Sequence, residues 1–316
     1  MKICAACHTD LPKDNYSKKQ WKLDEYQRRC KVCVNNNRDV QVQPPPQQNN
    51  NDTNKDEIIR LLDSMYLEDV EKISDEELFK EPPAKDCPIC FQRMPSLNPT
   101  GSKYQTCCGK VICSGCLYAV SKTKKTAIPL CPFCRVLTPT SKLEMFEKEK
   151  KRVEAGDAIA INNLGVCHRD GERGYPQNHT KALEYWHMAA DLGYAEAYSC
   201  IGYAYQYGQG LEVDKKRALY SYKLAAIGGD EVARNNLGND ELRVGNMDRA
   251  LKHYMLAVRD GNNHTLNVIK QMYTKGDATK EQYTRALQTY QEYLSEIRGP
   301  QRDEAAAFSK EMYRYY

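Results

Sequence analysis

Cysteines in closely spaced pairs are the residues of this 316-residue chain best suited to do chemistry. Four pairs lie between residues 87 and 134, with 16 residues between the first two pairs and 14 between the last two. Structural zinc takes four soft ligands in a tetrahedron, and a C-x2-C turn supplies two of them from one loop. We therefore predict two zinc sites in which alternate pairs share an ion: Cys87, Cys90, Cys113 and Cys116 in one, and Cys107, Cys108, Cys131 and Cys134 in the other.

A further group of cysteines lies at the start of the chain. The pairs Cys4/Cys7 and Cys30/Cys33 enclose 22 residues, which is long enough for a hairpin or short helix over one four-cysteine site. We therefore expect three zinc ions in all. Residues 1–40 contain nine basic residues and five acidic ones. Together with Trp21, the basic residues could bind a nucleic-acid backbone or a protein tail. The interpretation we favour is plainer: the tryptophan covers a small core and the lysines are solvated.

The residues around the later cysteines identify a family. The stretch from Cys108 to Cys116 (CGKVICSGC) resembles the C-G-H-x-x-C-x-x-C stretch of a RING finger, with Lys110 in the position of the usual histidine ligand. Lysine is a poor zinc ligand, and Cys107 is the available replacement, so the module is similar to all-cysteine (C4C4) RING domains. In the alternative, Cys107 or Cys108 is an ordinary buried thiol and a water or distant side chain completes the shell.

The RING resemblance also implies a function. Such domains bind a ubiquitin-charged E2 enzyme through an apolar residue in the first knuckle and a proline in the last, here Ile89 and Pro132. A cation directly after the last ligand, here Arg135, would bridge E2 and ubiquitin. The contribution to catalysis is positioning, with no covalent intermediate on the ligase. The N-terminal run Tyr16–Trp21 ahead of Cys30 resembles the Stc1-type zinc domain.

Composition excludes other classes. No stretch approaches the ~18 apolar residues of a membrane span, and the mean hydropathy is −0.74, so we expect a cytoplasmic or nuclear protein without a membrane partner. Fourteen cysteines without an export signal indicate reduced thiolates rather than disulfides. Twelve thiolates and three zinc ions would change the formal charge from +4 to −2, so the basic sequence pI does not favour nucleic-acid binding.

Two segments connect the cysteine-rich modules to the rest of the chain. The polar, proline-containing stretch from Val42 to Asn54 predicts a flexible spacer. Apolar residues at helical spacing between Asp56 and Phe79 predict a short acidic amphipathic helix, which could bind a partner but which we expect to pack on its own neighbouring domain. The charged run Glu144–Glu154 predicts a connecting helix.

The second half of the chain is repetitive. Ala-Leu pairs at Ala182, Ala218, Ala250 and Ala286 recur at intervals of 36, 32 and 36 residues, and each precedes an aromatic residue. Glycines nine residues apart recur in the same register, which predicts helical hairpins. We expect the second glycine to let the helices approach and the aromatic residue to close the gap to the next repeat. The second copy is similar to a Sel1-like repeat, a relative of the tetratricopeptide unit.

A stack of such hairpins implies binding, because its inner surface can hold an extended peptide or a helix. The fourth copy departs from the pattern and is expected to cap the stack. Cys167 and Cys200 lie at corresponding points of the first helices and are expected to be small buried residues, since neither has the neighbours of a catalytic thiol.

The sequence therefore predicts a multidomain protein in which small zinc modules precede an all-α Sel1-like solenoid. Its boundaries are a four-cysteine finger over 1–40, a linker with a short helix over 41–84, a RING over 85–137, a connecting helix over 138–154 and repeats with a cap over 155–316. We expect a RING-type E3 ubiquitin ligase with an E2 and a protein substrate or adaptor as partners. The alternative is a non-catalytic zinc-binding scaffold for protein interactions, which could associate with nucleic acid through the N-terminal finger.

Overall fold

The computed structural model describes residues 2–3, 10–11, 73–82, 84–96, 100–123 and 130–315. The chain divides into two compact units, residues 1–66 and 67–316. In the first unit, strands β1 (Lys2–Ile3) and β2 (Asp10–Leu11) pair antiparallel. The predicted N-terminal finger with Cys4, Cys7, Cys30 and Cys33, the spacer and most of the predicted amphipathic helix lie outside the described residues.

The cysteine-rich part of the second unit contains little regular structure. A one-turn helix, α1 (Asp75–Leu78), precedes the strands β3 (Ser102–Gln105) and β4 (Lys110–Cys113), which pair antiparallel. Helix α2 (Ser114–Thr123) follows β4 directly. The buried residues of this part are largely its cysteines together with Ile112. A core this small cannot offset the chain entropy of its loops, which is the usual reason for a metal requirement.

The remainder of the second unit is helical. Eight consecutive helices of 13 residues each are followed by a longer helix and two short ones. They are α3 (Lys142–Glu154), α4 (Ala158–Asp170), α5 (His179–Asp191), α6 (Ala195–Tyr207), α7 (Lys215–Ile227), α8 (Glu231–Arg243), α9 (Met247–Arg259), α10 (Asn263–Lys275), α11 (Lys280–Ile297), α12 (Pro300–Phe308) and α13 (Lys310–Tyr313). Helices α4 to α11 pair successively into four hairpins, and neighbouring hairpins also touch.

Local sequence explains where these helices begin. Asp157, Asp214 and Asp230 each accept hydrogen bonds from backbone N–H groups of the helix that follows, which satisfies donors with no partner inside the helix. Several helices end at a glycine with positive φ, for example Gly171 and Gly208, where a side chain would be strained.

The glycine and aromatic residues of a hairpin lie against each other. A Cβ on Gly165 would lie 2.6 Å from the Trp186 ring, and a Cβ on Gly202 would lie 2.8 Å from the Tyr222 ring. Each of these aromatic residues therefore covers the glycine of its own hairpin, and both belong to the core cluster that the first three hairpins share. Only glycine leaves room for a large ring between two helices of one hairpin. The equivalent ring, Tyr254, is fully buried and its hydroxyl donates to Asn239 Oδ1 at 2.8 Å.

The cysteine-rich module and the helices pack together. The cap helix α12 lies against α2, and Tyr118 of α2 contacts the rings of Phe308 and Tyr313. Arg93 pairs with Asp260 at 2.8 Å, so the module also contacts the end of α9. The C-terminal segment is therefore shared between the repeats and the cysteine-rich module instead of only closing the stack.

Candidate metal centre

The first four-cysteine group is assembled from a loop and a strand-helix junction. Cys87 and Cys90 lie on one C-x2-C knuckle, Cys113 ends β4 and Cys116 lies in the first turn of α2. All four Sγ atoms lie within 4.8 Å of one another. The pairing of β4 with β3 fixes the position of Cys113, and the immediate start of α2 brings Cys116 onto the same side.

The second group combines a turn with the later knuckle. Cys107 and Cys108 occupy the turn between β3 and β4, while Cys131 and Cys134 lie on the second C-x2-C knuckle, and their Sγ atoms also lie within 4.8 Å of one another. Both members of the adjacent pair therefore belong to one group. The two groups alternate along the chain, as the spacing of the cysteines predicted.

The sulfur separations suit zinc. In a tetrahedron with Zn–S bonds of about 2.3 Å, neighbouring sulfurs lie about 3.8 Å apart. The Cys87–Cys116 and Cys90–Cys113 separations are 3.9 and 3.8 Å, and the Cys108–Cys131 separation is 3.8 Å. Disulfides require about 2.05 Å, so these thiols are unlinked. The residues of both groups fit a zinc ion, which would hold the loops together by replacing protons on the four thiols.

Electrostatics explain why a cation is needed. Burial raises the pKa of Cys108 to about 11, so without a metal its thiol stays protonated. A dication reverses this preference, because a coordinated thiol loses its proton. Zinc binding by these groups therefore releases protons and depends on pH.

The two knuckles share one backbone design. In the first, the N–H of Phe91 donates to the Cys87 carbonyl at 2.9 Å, and in the second the N–H of Arg135 donates to the Cys131 carbonyl at 3.0 Å. The residue after the second cysteine is left-handed in both, with φ of 55° at Phe91 and 61° at Arg135. Isolated β-bridges close each knuckle, between Asp86 and Arg93 and between Leu130 and Leu137.

The residues predicted to meet an E2 enzyme lie on both knuckles. Ile89 is half-buried against the cysteine cluster, Pro132 is half-buried on the second knuckle, and Arg135 is exposed. Lys110, which occupies the position of the usual RING histidine, is not a member of either cysteine group. Its Nζ lies 5.9 Å from the centre of the Phe133 ring.

A buried arginine behind the first group was not found by sequence analysis. Arg302 of α12 is 1% exposed, and its guanidinium donates to the carbonyls of Arg93 and Ile297, both at 2.7 Å. It also lies 3.7 Å from the Sγ of Cys90. No motif marks this residue, since it is one charged residue in a charged C-terminal segment, 212 positions away from Cys90.

In the described part of the chain, two further thiols, Cys167 and Cys200, belong to neither four-cysteine group. Cys167 is buried and desolvation raises its pKa, while burial raises the pKa of Cys200 to about 12. Both are therefore poor nucleophiles at neutral pH, in keeping with a packing role. Among the described residues, no helix is long and apolar enough to cross a membrane.

Known proteins resemble parts of this chain. Residues 158–194 and 195–230 match the family model of the Sel1 repeat, so the chain contains Sel1 repeats. A solved Sel1 repeat protein from Oxalobacter formigenes is 26% identical, with 49% of this chain and 63% of that chain covered and a TM-score of 0.41. A protective antigen of uropathogenic Escherichia coli, described as displaying an SLR fold, is 23% identical with a TM-score of 0.42, over 54% of this chain and 37% of that one.

Two curated relatives come from rice. Both are named E3 ubiquitin-protein ligase GW2, one from Oryza sativa subsp. indica and the other from subsp. japonica. Each is 36% identical over 73 residues, which is 22% of this chain and 16% of the relative. The chain therefore matches about a sixth of the length of these relatives.

Proposed function

We propose that this protein is a RING-type E3 ubiquitin ligase whose Sel1 repeats recruit the protein to be modified. Residues 85–137 would form a cross-braced, all-cysteine RING with two zinc ions, and the N-terminal finger over residues 1–40 would bind a third. The observation that carries the proposal is the alternation of the two four-cysteine groups along the chain. In a cross-brace, the first and third ligand pairs share one ion and the second and fourth share the other.

The chemistry proposed is an acyl transfer on the E2. A lysine amine of the substrate attacks the carbonyl of the E2–ubiquitin thioester, an isopeptide bond forms, and the E2 cysteine leaves as the thiol. The ligase forms no bond, so its contribution is to hold the thioester in a reactive orientation. Ile89 and Pro132 would contact the E2, and Arg135 would bridge the E2 and ubiquitin.

The position of Arg135 supports this role. Its backbone is fixed by the hydrogen bond to Cys131 and is left-handed, a conformation that costs an ordinary residue on the order of 1 kcal/mol. The side chain is nevertheless exposed. A long cation that is exposed at this point of the knuckle is available to a partner, where it could make charge-assisted hydrogen bonds. The name of the rice relatives agrees with this activity for the part of the chain that they match.

The test is a single-turnover discharge assay with a panel of ubiquitin-charged E2 enzymes and free lysine. We expect Ile89→Ala to abolish E2 binding with zinc content unchanged. Arg135→Ala should leave E2 affinity unchanged and slow discharge by roughly ten- to a hundredfold, because it removes a charge-assisted hydrogen bond worth about 1.5–3 kcal/mol. Arg135→Lys keeps the charge and should retain more activity. The proposal would be contradicted if the wild type accelerated discharge from none of the E2 enzymes, or if Arg135→Ala discharged ubiquitin as fast as the wild type.

A non-catalytic scaffold is the second candidate. The observation that favours it is the burial of Arg302 between the module and the repeats, because such contacts would make a rigid platform. A scaffold predicts stable partner binding without any acceleration of ubiquitin discharge, so the same assay separates the two.

A further inference from the structure

A short segment of the chain lies on the second and third hairpins as a bound peptide would. We call residues Ile73–Pro82 the strap. Arg234 of α8, 1% exposed, donates to the Leu78 carbonyl and, at 3.4 Å, to the Lys80 carbonyl. Arg259 at the end of α9 donates to the Pro82 carbonyl at 3.0 Å. Two arginines therefore hold three backbone carbonyls of the strap, and these contacts do not depend on the side chains of the segment that occupies the site.

The buried cation is the unusual feature of this contact. Burial lowers the pKa of Arg234 to about 10, which shows how much its surroundings disfavour the charge. The guanidinium instead donates to strap carbonyls, so removing the strap would leave a buried arginine without these acceptors. Such a group is costly unless another acceptor replaces the strap.

Two adjacent apolar residues give the contact its side-chain selectivity. Leu78 is 1% exposed and joins the core of the first three hairpins. Phe79 lies against His253, with 4.6 Å between ring centres. The guanidinium carbon of Arg249 and the Nζ of Lys252 lie 5.3 and 5.5 Å from the Phe79 ring centre. This arrangement selects an aromatic residue, because a ring face attracts cations.

Charge complementarity extends the selectivity on both sides of the apolar pair. Asp75 pairs with Arg249, and Glu81 pairs with Arg259 at 2.7 Å. The strap thus places acidic residues against two arginines of α9, which also pair with Glu241 and Asp260 of the repeats. Its recognition pattern is an acidic residue, then Leu-Phe three residues later, then an acidic residue two positions after the phenylalanine.

The surface continues beyond the strap. A cavity of about 520 Å³ lies between α9 and α11 beside Phe79 and Glu81, lined by Leu251, Met255 and Arg285 among others. A cavity of this volume and mixed polarity can take several more side chains of a longer peptide.

We propose that the second, third and fourth hairpins form a peptide-binding site for acidic segments with an adjacent Leu-Phe pair, and that the strap occupies this site in cis until such a partner replaces it. The proposal rests on the role assigned to the repeats above, since it names the class of protein that they recruit. The strap leads directly to the first cysteine knuckle at Cys87. A partner in this site would therefore be held next to the RING.

Exchange between the strap and a partner has a predictable cost. A short tether gives the strap an effective concentration of about millimolar, so an external peptide of equal intrinsic affinity competes poorly. Apparent affinity falls in proportion to the fraction of molecules whose site is open. Weakening the strap should therefore increase the affinity for an external peptide.

The experiment uses the full chain and a fluorescent peptide with the sequence of residues 73–82, followed by anisotropy. We expect the double variant Leu78→Ser, Phe79→Ser to bind the peptide at least tenfold more tightly than the wild type. A peptide with serines in place of its own Leu-Phe pair should not bind, and neither should one with lysines in place of the two acids. Adding Arg249→Glu to the double variant should remove binding, whereas Arg243→Glu, an exposed change on α8, should not.

A folded double variant, judged by helicity and zinc content, that fails to bind the peptide overturns the proposal. If the variant does not fold, hydrogen exchange on the unmodified chain decides. Millimolar peptide should accelerate exchange at the Leu78 amide, which donates to the Ser74 carbonyl at 2.9 Å in the bound strap. Unchanged exchange also overturns the proposal. Neither measurement uses an E2 or ubiquitin. A failure of the peptide-site proposal can therefore be distinguished from a failure of the ligase proposal.

Discussion

The knuckles at Cys87 and Cys131 have the same backbone hydrogen bonds and different neighbours. Behind the first knuckle, Arg302 of α12 donates a hydrogen bond to the carbonyl of Arg93, and Gln301 Oε1 lies 3.9 Å from Cys116 Sγ. After the second, Val136 and Leu137 are each 48% exposed. Short-range sequence therefore sets the form of a knuckle, while distant parts of the chain decide whether its surroundings are buried or available to a partner.

The same contrast appears within the repeats. The strap covers part of α7 and of the third hairpin, whereas Tyr203 and Tyr207 on α6 remain 41% and 59% exposed. In both places a segment of the same chain covers the surface. Helix α12 covers the first knuckle, and the strap covers part of the repeats.

Loss of a metal ligand should have the largest effect and should differ between the groups. Cys113→Ser and Cys108→Ser should each cost one zinc ion, whose binding contributes on the order of 10 kcal/mol to a small module. The turn with Cys108 meets Arg152 and Asp157 at the start of the repeats, whereas α12 packs on the first group through the buried Arg302. Cys113→Ser should therefore lower the melting temperature of the helices by more than Cys108→Ser. Elemental analysis and thermal circular dichroism measure both. Equal melting temperatures in the two variants would contradict the proposed difference between the two cysteine groups.

The contribution of the covering helix can be tested at Arg302. Arg302→Met leaves the carbonyls of Arg93 and Ile297 without their buried donor and should lower the free energy of unfolding by about 2–5 kcal/mol, at about 1–3 kcal/mol for each unsatisfied acceptor. Arg298→Met, an exposed change four residues earlier, should shift it by less than about 0.5 kcal/mol. Urea denaturation followed at 222 nm gives both values, and similar losses in the two variants would remove the special role of Arg302.

Acid should weaken the surface beneath the strap. Burial, and next the charges of Arg234 and Arg249, lower the pKa of His253 to about 3, with Lys223 acting in the same direction and Asp75 against it. The unfolded chain, whose histidine has a pKa near 6.5, therefore binds a proton that the folded chain does not. Stability should fall as pH decreases below about 6.5, by about 1–2 kcal/mol between pH 6.5 and 5.

The control for that pH dependence is His253→Gln. Buried Asp230 and half-buried Glu231 act in the opposite direction, because desolvation raises their pKa values to about 6 and 7. The difference between wild type and variant isolates the histidine. A difference in unfolding free energy that stays constant over this pH range would show that His253 is not a neutral buried group.

The smallest effect should come from the left-handed residues. Phe91→Gly and Arg135→Gly each relieve a non-glycine positive φ and should raise the free energy of unfolding by about 0.5–1 kcal/mol. Only Arg135→Gly should slow ubiquitin discharge. If the free energy of unfolding rose for only one of the two variants, the backbones of the two knuckles would be less alike than their hydrogen bonds indicate.

The sequence by itself determined the local features. Cysteine spacing specified two groups of four because a C-x2-C turn can place two sulfurs on one ion, and Cys107 and Cys108 both lie in the second group. The recurring Ala-Leu and glycine positions specified helical hairpins, since helix packing depends on residues three or four positions apart. Asp157 and Asp214 cap the helices that follow them, and this effect is local because it acts within one turn.

Tertiary structure decided which surfaces meet. Arg302 and Cys90 are 212 positions apart, and the Arg234–Leu78 contact spans 156, so no periodicity or motif connects either pair. The contact between the Trp186 ring and Gly165 likewise depends on how two whole helices pack. These outcomes depend on packing among whole elements, which forms only when the chain buries its apolar faces together.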